Sequence, residues 1–136
     1  MLFRSFQSFY VWPVLNVLEN VLLPLMESPL SRQKRLQKAQ EVIALVGLTD
    51  KTTSSVNNLS IGQRQRVAIA RAIVMDPQLI LADEPTGNLD SKNTENILTL
   101  FRTLNKQKNV TIVMVTHEEK ALAFCDRWIQ LSDGRI

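Results

Sequence analysis

The chain has 136 residues, 45% of them apolar, which fits a single domain or part of one and suffices for a hydrophobic core. A formal net charge of +3 and a sequence pI near 9.3 are mild, and no aromatic residues interleave the cations, so a nucleic-acid surface is not expected. The single cysteine, Cys125, excludes an internal disulfide, fits a reducing compartment and reads as a small buried apolar residue.

In chain order, the first 26 residues are rich in Phe, Val and Leu. Gln7, Asn16, Glu19 and Asn20 interrupt them, and Pro13 and Pro24 break helical continuity. A membrane-spanning helix needs roughly 20 mostly apolar residues, so none is expected, and no convincing cleavage site marks a signal peptide. Pro13 to about Met26 reads as a short helix, with Pro13 at its first position and Pro24 marking its end. Ser31 can cap a second helix to about Val46, with Leu36, Ala39, Val42, Ile43 and Val46 on one face. Gly47 fits the left-handed residue that closes it. Residues 49–58 are polar and read as a loop.

Ser60 with Gln63 forms a capping-box pattern that starts a helix through about Met75, which Asp76-Pro77 ends. The cations Arg64, Arg66 and Arg71 on this helix, and Arg32, Lys34, Arg35 and Lys38 on the one before, read as solvated faces. Gln78 to Ala82 and Val110 to Val115 are continuous apolar runs, the pattern of strands buried on both faces. Between them, Pro85 to Leu89 is a turn, and Asp90 or Ser91 can cap a helix to about Lys108. After them come a short helix over Glu118 to Phe124 and a third strand over Arg127 to Leu131. Ser132, Asp133 and Gly134 then read as a turn that can lead into a fourth strand. The second half thus alternates strands and helices, which predicts an α/β parallel sheet, while the first half reads as nearly all helix.

The chemistry-bearing residues concentrate between Leu59 and Asp90. Asp83 and Glu84 end a strand, at the sheet edge where parallel sheets bind ligands. An Asp there can hold Mg²⁺, and a neighbouring Glu can polarise an attacking water; two exposed loop carboxylates are the plainer reading. His117 follows the second strand and so falls on the same edge, where an imidazole can reach a γ-phosphate or serve only structure. Ser60 and Gly62 sit at a helix N-terminus, which favours an anion but is equally a plain capped helix. A phosphate-cradling loop needs Gly, four residues, then Gly-Lys-Ser/Thr. None of the four glycines (Gly47, Gly62, Gly87, Gly134) begins or completes that pattern.

Taken together, these residues resemble the ATP-binding subunit of ABC transporters over essentially the whole chain. Leu59-Ser60-Ile61-Gly62-Gln63 is similar to the family's signature motif. Leu79 to Glu84 resembles its Walker B strand with the catalytic Glu, Gly87 to Asp90 its D-loop, and His117 its switch histidine. Phe6-Gln7-Ser8 before the LENVLLPL stretch resembles the Q-loop. The GNLD and LENVLLPL wording is most similar to the lipoprotein-releasing and macrolide-export branch. Ile61 departs from the pattern, standing where the family usually has the signature's first Gly.

The resemblance implies a partial P-loop NTPase fold, with a helical subdomain and part of a parallel-sheet core. Residues 1–75 would carry the Q-loop, helical subdomain and signature helix, and 76–136 the C-terminal part of the ATPase core. It implies ATP and Mg²⁺ as ligands, with Glu84, His117 and Gln7 in catalysis, Asp83 and Gln7 toward the metal, and Ser60, Gly62, Gln63 and Asp90 toward the nucleotide. It implies two partners, a second ATP-binding subunit sharing a composite site and a transmembrane permease, and hence a cytoplasmic, peripheral location. Because the phosphate loop precedes the Q-loop in the family, an N-terminally truncated member is expected, binding Mg·ATP weakly by itself. Two alternatives stand beside this: a non-catalytic remnant that only binds a partner, and, less favoured without sustained heptads, a lobe of a DNA-associated SMC- or Rad-type ATPase.

Overall fold

The computed structural model describes residues 4, 5, 11–132 and 135. Strand β1 (Arg4–Ser5) is followed by helices α1 (Val17–Leu22), α2 (Arg32–Leu45) and α3 (Ile61–Ile73). Strand β2 (Leu79–Asp83), helix α4 (Ser91–Lys108) and strand β3 (Thr111–Val115) complete the regular elements. The strands form one parallel sheet in the order β1-β2-β3, with Arg4 opposite Leu81 and Asp83 opposite Val115. The α/β class expected from sequence is what forms.

Local chemistry sets most boundaries. Ser31 caps α2, and Gly47, at φ +71°, closes it. Arg66 of α3 then donates to the Val46 carbonyl at 2.9 Å, serving a carbonyl that the helix end leaves unpaired. The first helix is shorter than expected. Pro13 lies in a turn, and Asn16 starts α1 instead, through a capping box with Glu19. Beyond Leu22 the chain tightens into a 3-10 turn over Leu23–Glu27 that contains Pro24. The 49–58 loop holds two 3-10 turns, Thr49–Lys51 and Val56–Asn58.

A single hydrophobic cluster runs through the molecule, joining Val17 and Val21 of α1, Ile43 of α2, Val67 and Ala70 of α3, Ile80 of β2 and Ile97, Phe101 and Leu104 of α4. Because α3 packs against both α1 and α2, its cations are not the solvated face expected. Arg71 is half-buried, and desolvation lowers its pKa from the ordinary arginine value.

The sheet is covered on one side only, which corrects the expectation of strands buried on both faces. Ile80 and Ala82 of β2, in register with Ile112 and Met114 of β3, face the core. The opposite face carries Val113 and Val115, 50% and 59% exposed. Leu79 and Leu81 of β2 on that face are half-buried, so the apolar run alone did not guarantee burial. The expected strand over Arg127 to Leu131 does not form. These residues are exposed and have no ladder partner among the described residues, and an isolated bridge between Ser132 and Arg135 follows. Cys125 is exposed as well, because the preceding 3-10 turn (Glu119–Phe124) buries only Ala121.

The polar side chain of Asn20 is fully enclosed. Asn20 accepts from the Trp12 N–H at 2.8 Å and donates to the Trp12, Leu15 and Asn16 carbonyls. It therefore fixes residues 12–16 against α1. Asn20→Ala leaves those backbone groups unpaired and is expected to cost about 2–3 kcal/mol in urea unfolding. A loss below about 1 kcal/mol would mean that water replaces the amide.

Candidate functional site

Asp83 and Glu84 stand at the carboxyl end of β2, and His117 two residues past the end of β3. The Glu84 N–H donates to the Val115 carbonyl at 2.9 Å, which carries the pairing one residue past the strand. Glu84 then takes a left-handed backbone, φ +44°, uncommon for a residue other than Gly, Asn or Asp. Its Oε1 meets His117 Nδ1 at 2.8 Å. Its Oε2 is buried with no hydrogen-bond partner among the described residues, as is the Thr86 hydroxyl. Asp83, next to it, is exposed.

The imidazole is largely exposed but responds to its neighbour. The hydrogen bond to Glu84, and then the Glu84 charge, raise the His117 pKa above the ordinary histidine value. Protonation of His117 therefore favours the folded state. The stabilisation is fully present below the ordinary histidine pKa and is lost as pH rises through the raised one. An NMR titration is expected to find His117 above that ordinary value, and Glu84→Gln to bring it back. A wild-type pKa at or below the ordinary value would contradict the pairing.

A second group gathers around two helix starts. At α3, the Gln63 N–H donates to Ser60 Oγ (3.2 Å) and the Ser60 N–H to Gln63 Oε1 (3.0 Å). The box uses oxygens as acceptors, so the Ser60 O–H and the Gln63 Nε2 hydrogens stay outside it. Ile61 is exposed at this turn, whereas Gly62 is buried. At α4, Asp90 Oδ1 accepts from the Asn93 N–H and Oδ2 from Asn93 Nδ2, both at 2.8 Å. The Asn93 backbone and then side-chain bonds lower the Asp90 pKa below the ordinary aspartate value.

The two helix starts touch. A Cβ added to Gly62 would lie 3.1 Å from Asn93 Cγ and Oδ1. The structure thus brings Asp83, Glu84 and His117 together at the sheet edge, and Gly62 beside the Asp90 cap. Gln7 lies outside the described residues. Asn93 escaped the sequence reading. An Asn three residues after a capping Asp is an ordinary first-turn residue, and only tertiary packing brings it to Gly62.

An open hollow of about 370 Å³ lies between the start of α4 and the segment after β3, lined by Leu89, Ser91, Thr94, Glu118, Glu119 and Lys120. Its two carboxylates disfavour a phosphate there. Among the described residues no three His, Cys, Asp or Glu cluster as a metal site, and no helix is long and apolar enough to cross a membrane.

The sequence profile of the ABC transporter family matches residues 3–87. The ABC transporter ATP-binding protein YknY of Bacillus subtilis is 47% identical over 131 residues, 96% of this chain and 56% of its own length. The lipoprotein-releasing system ATP-binding protein LolD of Geobacter metallireducens is 41% identical, across 96% of this chain and 58% of its own. Among solved structures, the ATP-binding cassette MJ0796, dimeric and bound to ADP and Pi in a post-hydrolysis state, superposes with TM-score 0.82 at 42% identity, covering 96% of this chain and 58% of that one. The chain thus spans a little over half the length of the relatives it matches. With the family profile covering more than half of its residues, and with a parallel sheet whose carboxylate edge and capped helix lie within or beside the matched segment, this chain belongs to the ABC transporter family.

Proposed function

We propose that the chain is the greater part of the ATP-binding subunit of an export-type ABC transporter, carrying two sets of residues for ATP hydrolysis. The observation that carries the reading is the Glu84–His117 pair, a 2.8 Å carboxylate–imidazole contact at adjacent strand ends, beside the exposed Asp83. On this reading ATP is the substrate. Glu84 orients a water for attack on the γ-phosphorus and accepts its proton, and the bond to the β-phosphate oxygen breaks to release ADP. His117 holds Glu84 through Nδ1, which leaves Nε2 for a γ-phosphate oxygen, and a raised pKa favours the protonated, donating form.

The donor set fits Mg²⁺. A hard cation bound to a nucleotide takes one or two carboxylates, with phosphates and waters completing its shell, and Asp83 is an exposed carboxylate at the strand end. Asp83, with Gln7 as the family resemblance implies, would hold the ion; when bound, Mg²⁺ neutralises charge on the β- and γ-phosphates.

Ser60, Gly62, Gln63 and Asp90 act in trans, on ATP gripped by a second ATP-binding subunit. The Ser60 O–H, the Gln63 amide and the first-turn N–H groups of α3 suit an anion. Residues 1–75 supply the Q-loop and signature and 76–136 the hydrolytic edge. A permease is the membrane partner, and the exposed apolar Trp12, Val14 and Met26 offer surface for it; the subunit is then peripheral on the cytoplasmic face. The export assignment rests on the GNLD and LENVLLPL wording and on similarity to the lipoprotein-releasing relative.

The decisive experiment joins this chain to the preceding phosphate-loop portion of the Geobacter LolD and measures Mg·ATP hydrolysis. Turnover in the family's ordinary range is expected. A folded fusion that binds ATP and shows no turnover in dimer-forming conditions sinks the reading and favours a binding-only role.

A further inference from the structure

We infer that Asn93 is a positioning residue that locks the Asp90 turn to the signature helix, so that the two segments form one unit within the chain. Three observations meet at this side chain. Its backbone N–H and its Nδ2 both donate to Asp90, at 2.8 Å each, so its amide is pinned from one side. Its Cγ and Oδ1 stand 3.1 Å from the place where a Cβ on Gly62 would lie. Gly62 itself is buried one residue into α3, where the backbone does not require glycine for its φ.

The absence of a side chain at position 62 therefore has a cause inside the molecule. It lets the start of α4 close against the start of α3. An open approach for a phosphate is a separate use of the same glycine, and it rests on the proposed function. The lock does not rest on it. Where that function holds, the lock gives both nucleotide-facing segments, Ser60–Gln63 and Gly87–Asp90, a common position, so a displacement at one is delivered to the other.

The geometry sets an uncommon sign. Gly→Ala at an exposed helical site stabilises. Here the added methyl meets a side chain whose Nδ2 is bonded to Asp90 and whose own backbone N–H is bonded to the same carboxylate, so it cannot withdraw without giving up the cap. With that side chain cut back to Ala, the nearest remaining atom is the residue-93 Cβ at 3.5 Å from the added methyl, an ordinary contact. The test is a four-member cycle in this chain, read by thermal unfolding and by amide hydrogen exchange. Gly62→Ala is expected to lower Tm by about 4 °C in the wild-type background and to leave it level or raise it in Asn93→Ala. It is also expected to speed exchange roughly tenfold at the Leu89 amide, which is bonded to the Thr86 carbonyl in the turn. In the Asn93→Ala background that acceleration disappears.

If Gly62→Ala alone fails to fold, recovery of a folded double variant supports the lock, and failure of both overturns it. Equal Tm changes in the two backgrounds overturn it too. So does a destabilised Gly62→Ala variant with unchanged exchange at Leu89, because a merely local clash would do that. None of these readouts uses ATP or a second subunit, so they decide the lock even where the hydrolysis assay of the fused protein fails.

Discussion

Glu84→Gln, placed in the LolD fusion, is expected to keep ATP binding and lose turnover by about a hundredfold or more. The substitution preserves volume and one carbonyl oxygen but removes the charge that, on the proposed function, takes a proton from water. The contact to His117 Nδ1 survives as a neutral hydrogen bond, so local structure is retained while the imidazole pKa falls. Steady-state hydrolysis and equilibrium ATP binding, measured on the same preparation, separate the two effects. Retention of more than a tenth of the wild-type rate would move the proton acceptor elsewhere and leave Glu84 a structural partner of His117.

The second large effect concerns stability. Phe101→Ala is expected to destabilise the chain by about 3–5 kcal/mol. Phe101 lies on the buried face of α4 with Ile97 and Leu104, in the cluster that joins α4 to Ile80 of β2 and to α3. The lost ring leaves a cavity between helix and sheet, bounded by backbone that collapses only in part. Native chains hold about 5–15 kcal/mol in total, so this single change consumes a large share. Urea unfolding with an unchanged m-value and a lowered midpoint is the expected record. A loss under about 1.5 kcal/mol would show that α4 shifts to fill the space.

Much of this molecule can be read directly from its residues, and the reason is local chemistry. Ser31, Ser60 with Gln63, and Asp90 cap helices where their side chains predict, and Gly47 closes α2 in the left-handed region. The two strands appear where the apolar runs lie, so Asp83, Glu84 and His117 reach one edge by topology alone. What escaped is what depends on neighbours. Arg4–Ser5 is too short to show a period and is a strand only because β2 offers it a ladder. The runs over β2 and β3 could not report that Val113 and Val115 stay exposed, since apolar content records what a strand tolerates and not what covers it. Arg127–Leu131 has strand-like residues and no described partner. Asn16 and Pro13 competed to start the first helix, and the reciprocal bonds with Glu19 decided for Asn16. Asn93 carried no signal at all, because its significance arises from Gly62, thirty-one positions away in the chain.

The left-handed backbone of Glu84 has a consequence for what sequences this position will accept. Asp76 and Asn109 share that region, but they belong to residue types that tolerate it. Glutamate does not, and holding it there costs of order 1 kcal/mol. Glycine at 84 would relax the backbone but give up the 2.8 Å contact with His117 and, on the proposed function, the proton acceptor. Backbone comfort and the proposed hydrolytic role therefore ask for different residues at this one position, and the glutamate present is the one that the proposed role requires.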